Sequence, residues 1–237
     1  MPVRVTDVIR SLIFYVVFYI GTAGYVLASL AMLPIGGRPF RTAIQGWSAY
    51  HRACARYILG IRIKVEGTLP TGPHLIALKH ESFYEAIDLP TLLPYPVIFA
   101  KAELIRLPLW GRAAGEYGVV PVVRDQGAKA LRTMVANARK WSAGGRPLAI
   151  FPEGTRVPHG TRPPLQSGFA GLYKLMGMPV VAAAVNSGPL YHRLWKRPGI
   201  VTVRFSDPIP PGLPREEVEA RVHSAINALN APDAPLA

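Results

Sequence analysis

The stretch His74-Leu75-Ile76-Ala77-Leu78-Lys79-His80-Glu81-Ser82-Phe83-Tyr84-Glu85 decides the fold. Its first half is a short apolar run of the buried-strand kind, and its second half opens a helical pattern carried on by Ala86, Ile87 and Leu89. The junction reads as a strand turning into a helix, with an imidazole and a carboxylate at the turn. On one continuous helix, the five-residue step from His80 to Glu85 would set the side chains roughly 140° apart, and they would not meet. With His80 still on the loop and Ser82 starting the helix, Glu85 falls in the first turn and can point back at the imidazole. That makes a general base with its orienting carboxylate. Ser82-x-x-Glu85 is equally a capping box, in which serine and glutamate satisfy free amides at the helix start. A zinc-protease reading fails, because the second histidine of H-E-x-x-H would stand where Tyr84 is.

The chain around this junction has 237 residues, enough for one sizeable domain and an appendage. Its 27 basic and 14 acidic residues give a net charge of +13, which favours anionic partners. Half the residues are hydrophobic and the mean hydropathy is +0.21, so a phospholipid surface fits better than nucleic acid. Cys54 is the only cysteine, which excludes an intramolecular disulfide and a cysteine-based zinc site; a lone buried thiol is also a poor nucleophile.

Upstream, no charged residue lies between Arg10 and Arg38, and Leu12 to Leu33 is long enough to cross a hydrocarbon core of about 30 Å as a helix. Ala28-Ser29-Leu30-Ala31 also resembles a signal-peptide cleavage site, although the apolar run continues through Met32, Leu33 and Ile35. Arg4 and Arg10 at one end balance Arg38 and Arg41 at the other, which suits a helix dipping into one leaflet. Pro34-Ile35-Gly36-Gly37 breaks the run, and a second helical segment follows from about Phe40 to Leu59. Its Arg41, Arg52 and Arg56 are available for lipid headgroups, or are simply the solvated side of a core helix.

From Ile61 the texture changes to short β-rich runs alternating with helical patterns. The strands expected are Ile61 to Glu66, His74 to Lys79, Val97 to Lys101, Val119 to Val123, Leu148 to Phe151, Val180 to Val185 and Ile200 to Phe205. Helices are expected to begin near Phe83, Pro108, Gln126, Gln166 and Arg215. The organisation expected is a hydrophobic two-helix membrane motif over residues 1–60 and an α/β domain over 61–237, a mixed sheet flanked by helices. In such a sheet the loops at the strand ends carry function.

Three strand ends deliver cations: Lys101, Arg124 and Arg156. Each alone reads as a solvated charge, but together they could converge on one phosphate if their strand ends share an edge. The most informative of these ends is Phe151-Pro152-Glu153-Gly154-Thr155-Arg156. A turn explains Pro152 and Gly154 but does not call for Glu153 or Arg156. Arginine suits bidentate phosphate recognition, and the glutamate can hold a substrate hydroxyl or the arginine itself. No G-x-S-x-G elbow, Walker loop or dinucleotide fingerprint is present.

The ordered set of His80-x4-Glu85, the Val119 to Arg124 strand, the Phe151 to Arg156 block and Met178-Pro179-Val180-Val181 resembles the glycerolipid acyltransferases. The closer likeness is to the bacterial 1-acyl-glycerol-3-phosphate acyltransferases, the PlsC-like family, and it covers about Ile61 to Phe205. The resemblance implies that His80 deprotonates the free hydroxyl of a lysophospholipid acceptor and that Glu85 holds the imidazole. It implies that Arg124, Glu153, Gly154, Thr155 and Arg156 bind glycerophosphate, with Lys101 matching a basic position of some members. Acyl-CoA or acyl-carrier protein would be the donor co-substrate, with no metal and no cofactor. The place of work would be the cytoplasmic face of the inner membrane, with membrane phospholipid as partner. Two residues depart from the family's habit: Glu85 stands where aspartate is usual, and Lys79 where asparagine is commoner. The departures keep open another lysolipid acceptor, such as a lyso-ornithine lipid. Charge and apolar N-terminus alone would also fit a non-catalytic basic membrane adaptor.

Overall fold

The computed structural model describes residues 3–69, 71–122 and 127–230. Seven strands form one sheet: β1 (Ile61–Glu66), β2 (Leu75–Leu78), β3 (Val97–Lys101), β4 (Val119–Val122), β5 (Leu148–Ile150), β6 (Val180–Val185) and β7 (Gly199–Phe205). Their spatial order is β1-β7-β6-β2-β5-β3-β4. β6, β2, β5, β3 and β4 are parallel to one another, whereas β7 runs antiparallel to β6 and parallel to β1. The sheet is thus mixed, as expected. All five parallel strands end at the same edge, so the segments that follow β2, β3, β5 and β6 gather there.

Side chains alternate across the pleat and divide the interior into two cores. Ile76 and Leu78 of β2 face one side, with Val181, Ala183 and Val185 of β6. Leu75 and Ala77 face the other, with Val180 and Ala182. Both strands are buried along their whole length, which is why they read as unbroken apolar runs. The first face is covered by α1 (Val5–Met32), α2 (Gly37–Cys54), a π-helical turn (Ala55–Leu59) and α3 (Tyr84–Leu92). The second is covered by α6 (Gly127–Ser142), α7 (Ser167–Met176) and α9 (Arg215–Ile226). Gly60, at φ +74°, ends the turn and admits Pro198 so closely that a Cβ would sit 3.0 Å from its ring.

Several expected boundaries move. The segment expected from Phe40 to Leu59 begins at Gly37 and finishes as the π-turn. The helix expected near Pro108 is α5 (Trp110–Tyr117), and the short α4 (Ala102–Ile105) and α8 (Gly188–Tyr191) have no counterpart in the expectation. Val123, Arg124 and Gln126 lie outside the described residues.

The N-terminal helices share the core of the sheet. Phe14 and Phe18 of α1 are 1% and 5% exposed and pack in one cluster with Leu59, Ile76, Tyr84 and Val201. Burying each contributes about 1.5–3 kcal/mol. Arg52, expected either to meet headgroups or to be solvated on a core helix, instead forms a bidentate pair with the buried Asp88 of α3, at 2.7 and 2.6 Å. The outer face of α1 is apolar too: Val5, Ile9, Leu12, Val16, Ile20 and Leu27 follow one another at three-, four- and seven-residue steps and are all more than half exposed. A helix apolar on both faces needs a second apolar partner.

His51 ties α2 to this core. Its Nε2 is 2.8 Å from the Tyr191 hydroxyl, and rings of Phe18 and Tyr84 stand against it. Burial, with lesser repulsion from Lys196 and Arg52, lowers the imidazole from its ordinary 6.5 to about 3. As pH falls below about 6.5 the unfolded chain gains a proton here that the folded chain refuses, so this part of the stability is complete above that pH and is lost towards pH 3. By pH 4.5 the loss should be on the order of 2–3 kcal/mol. Thermal unfolding of wild type and His51→Gln between pH 7.5 and 4.5 checks this. The variant's melting temperature should fall less steeply with acid, and parallel curves would contradict the assignment.

Candidate active site

β2 delivers Lys79 and His80 to the functional edge, where the chain bends through Glu81, Ser82 and Phe83 before α3 begins at Tyr84. The bend closes the angular gap that a continuous helix would leave. Glu85 Oε1 lies 3.0 Å from His80 Nδ1 and also accepts the amides of Glu81 and Ser82, at 2.6 and 2.7 Å. Its Oε2 accepts the hydroxyls of Ser187 at 2.6 Å and Ser82 at 3.0 Å. One carboxylate therefore both holds the amides of the bend and orients the imidazole, and Ser82 Oγ in turn accepts the Tyr84 amide at 3.0 Å; α3 begins at Tyr84 rather than at Ser82, and Phe83 before it makes no side-chain cap. Burial alone would raise the Glu85 carboxyl. The His80 imidazole, the Ser187 hydroxyl and the Ser82 amide outweigh it and hold the group below its usual range, so the carboxylate stays charged at neutral pH.

With Nδ1 facing a carboxylate, the favoured neutral tautomer carries its proton there and leaves Nε2 with a lone pair for a substrate proton. The ring lies flat against Phe151, centroids 4.0 Å apart and 23° between planes. Phe151 precedes the Pro152-to-Arg156 turn, in which the Gly154 amide donates to the Phe151 carbonyl at 2.9 Å. Gly154 sits at φ +72°, a left-handed conformation that glycine adopts without the strain of a side chain.

His80 lines a cavity of about 960 Å³, near the top of the ~300–1,000 Å³ range of ligand pockets. Lys101, Gly154, Thr155 and Arg156 line the same cavity. The body of the cavity is apolar and reaches between the sheet and the N-terminal helices, past Phe99 and Tyr117 to Trp47 and Tyr25. Arg156 and Lys101 are exposed, and the Arg156 guanidinium rests 4.0 Å over the Phe83 ring. Among the described residues no carboxylate pairs with Arg156. The arrangement puts an imidazole with a free ring nitrogen and two cations on the wall of one largely apolar chamber. It can hold a molecule with an anionic head and a hydrocarbon tail and take a proton from it.

Of the residues singled out from sequence, His80 and Glu85 meet directly, and Lys101, Gly154, Thr155 and Arg156 share the cavity. Arg124 lies outside the described residues. Glu153 is placed differently from expectation. Its side chain is enclosed, so it reaches neither the cavity nor Arg156; Oε1 is 2.5 Å from Lys79 Nζ, and Oε2 accepts the His80 amide at 3.2 Å. Burial raises its carboxyl above the usual range, and Lys79 and the His80 amide partly offset this. Sequence reasoning missed Ser187, Phe151 as a partner of the imidazole, and the pairing of Lys79 with Glu153. Asn186-Ser187-Gly188 follows β6 at the functional edge, so a rule of inspecting every strand end would have found Ser187.

The acyltransferase family profile matches residues 61–186. The chain is 30% identical over 204 residues to the 1-acyl-sn-glycerol-3-phosphate acyltransferase of Pseudomonas aeruginosa, a match covering 82% of this chain and 78% of that one. It is 26% identical over 184 residues to 1-acyl-sn-glycerol-3-phosphate acyltransferase alpha of Mus musculus, covering 74% and 65%. The crystal structure of the 1-acyl-sn-glycerophosphate (LPA) acyltransferase PlsC from Thermotoga maritima superposes with a TM-score of 0.74 over 95% of this chain and 98% of that one, at 21% identity. That likeness concerns the fold. With the family profile spanning more than half of its length and a curated relative at 30% identity over most of both chains, the chain belongs to the acyltransferase family.

Proposed function

We propose that this enzyme transfers a fatty acyl group from a thioester donor, acyl-CoA or acyl-carrier protein, to the free hydroxyl of 1-acyl-glycerol-3-phosphate, forming phosphatidic acid. The observation that carries the reading is the 3.0 Å His80–Glu85 pair in the apolar cavity that Arg156 also lines. The relatives named for that reaction support it. His80 Nε2 takes the proton of the acceptor hydroxyl as its oxygen attacks the thioester carbonyl. Glu85 stabilises the imidazolium that forms. The C–S bond then breaks, the imidazolium returns its proton to the leaving thiolate, and an ester and a free thiol result. The acyl group passes directly to the acceptor, with no acyl-enzyme and no metal or cofactor.

The lipid's phosphate would sit on Arg156 with help from Lys101, and its acyl chain in the apolar chamber. Because α1 is fastened to the sheet along one face through Phe14 and Phe18, its opposite apolar face would lie in a single leaflet rather than cross the bilayer. The cytoplasmic face of the inner membrane is the side on which the donors are made. An acceptor panel tests the reading: lysophosphatidic acid, lysophosphatidylglycerol and a lyso-ornithine lipid, each with both donors and with products identified by mass spectrometry. Phosphatidic acid should dominate. A product formed only from a lysolipid without a phosphomonoester would shift the reading to that acceptor.

Arg156→Ala should raise the KM for lysophosphatidic acid roughly 10-fold or more, the scale of one charge-assisted hydrogen bond, and change the donor KM less. Arg156→Lys should recover part of the loss, since it keeps the charge without the planar fork. Steady-state kinetics at fixed detergent composition, with circular dichroism as folding control, provides the check. An unchanged acceptor KM in folded Arg156→Ala would remove the residue from the phosphate site.

A further inference from the structure

Lys79 is completely buried, and its ammonium spends its three donors on three different segments: Glu153 Oε1 at 2.5 Å, the Thr161 carbonyl at 2.9 Å and Asn227 Oδ1 at 2.8 Å. Glu153 passes the linkage on, since its Oε2 accepts the backbone N–H of His80. The His80 carbonyl is held as well, by the Val157 amide at 2.8 Å. The peptide of the base is therefore clamped on both sides by the segment 153–161, from which Thr155 and Arg156 project. The segment is fastened at Thr161 to the same lysine. Asn227, just past the end of α9, anchors the assembly to the helix layer on the far face of the sheet.

A buried ion pair is a costly way to stabilise a fold, because an apolar pair of similar volume avoids the desolvation of two charges. What it supplies is directional geometry, since each of its hydrogen bonds has one permitted placement. We propose that Lys79 and Glu153 act as one positioning unit: the pair sets the backbone of His80 and fixes the 153–161 segment that presents Arg156, and Glu153 makes no contact with the acceptor. The inference rests on the reading of His80 as the base. It also makes physical sense of Lys79. The lysine that precedes the histidine is the counter-charge of the Glu153 carboxylate, and each requires the other.

The test is a double-substitution cycle on the full chain: wild type, Lys79→Met, Glu153→Gln and Lys79→Met/Glu153→Gln. Melting temperature, kcat and acceptor KM are measured for each, with His80→Ala as the inactive control. Each single substitution strands an unpaired buried group, so each should lower the melting temperature and cut kcat at least tenfold. In the double variant neither charge remains and the glutamine oxygen can still accept the His80 amide, while the Thr161 carbonyl and Asn227 Oδ1 lose their donor in Lys79→Met and in the double variant alike. Its kcat should exceed that of the weaker single by tenfold or more, its melting temperature should lie above both singles, and its acceptor KM should stay within about threefold of wild type. If the singles fail to fold at pH 7, the cycle is repeated with Lys79→Gln in place of Lys79→Met, which keeps a donor for the Thr161 carbonyl or Asn227 Oδ1, and the pairing requires that double variant to fold. Additive losses, or a double variant that does not fold, would overturn the proposal. So would a Glu153→Gln enzyme with normal kcat and melting temperature and a tenfold higher acceptor KM, the signature of a substrate ligand. Should wild type itself transfer no acyl group, the proposed function fails on that arm, while the melting temperatures still decide whether the two residues form one unit.

Discussion

Replacing His80 with alanine is expected to lower kcat by at least about 10²-fold, the lower end of what a positioned general base contributes, with the fold intact. The expectation follows from where the ring sits. It is 16% exposed and stacked on Phe151, and among the described residues its Nδ1 is the only side-chain atom of the residue with a hydrogen-bond partner. Its loss leaves a small void beside the cavity and removes the stacking on Phe151, but the longer-range hydrogen bonds persist, because Glu153 and Val157 hold the backbone of residue 80 rather than its side chain. Glu85 also keeps four other donors. Thiol release from acyl-CoA in the presence of lysophosphatidic acid, with circular dichroism on the same sample, reads the effect. A folded His80→Ala enzyme with near-normal turnover would refute the assignment.

Glu85→Gln is the second large effect, and the geometry makes it an unusually clean substitution. Oε1 accepts three N–H groups, from His80, Glu81 and Ser82, so the amide oxygen of glutamine would take that place. The amide nitrogen would then face Ser82 and Ser187, whose hydroxyls can accept as well as donate. The cap and the orientation of His80 survive, and only the negative charge is lost. Two unit charges about 4 Å apart interact by roughly 4 kcal/mol at an effective dielectric near 20. That attraction exists only once the imidazole has gained its proton in the reaction. A fall in kcat of about 10²–10³-fold is expected, with a nearly unchanged acceptor KM and melting temperature. If the carboxylate were only a cap, kcat would stay close to wild type.

How much of this was legible in the sequence differs by the kind of interaction. The unbroken apolar runs of β2 and β6 announced strands buried on both faces, and the His80-to-Glu85 spacing announced a bent junction, since both are local properties of the chain. The shared edge of the parallel strands depends on the order β6-β2-β5-β3-β4, which no stretch of sequence records. The reversal of β7 is equally silent, because its pattern would suit either direction. Partners far apart in sequence were the least visible. Lys79 and Glu153 are 74 residues apart and Ser187 and Glu85 are 102 apart, so neither pairing could be derived from spacing. Glu153 illustrates the cost: its neighbours in sequence suggested a substrate ligand, and its neighbours in space enclose it. Arg52 was misread for a similar reason, as its partner Asp88 belongs to another helix. The apolar N-terminus was legible as a helix in search of an apolar partner, but not the use of one of its faces against the sheet.

The most direct measurement is a mass balance. Purified enzyme is supplied with acyl-CoA or acyl-carrier protein, with and without lysophosphatidic acid, and free thiol and phosphatidic acid are quantified together in wild type and His80→Ala. Thiol and phosphatidic acid should appear in equal amounts with at least one donor, only when the acceptor is present, and at least about 10²-fold more slowly in His80→Ala. Thiol released by wild type without acceptor, or no phosphatidic acid with either donor, would contradict direct transfer to lysophosphatidic acid by this His80–Glu85 pair.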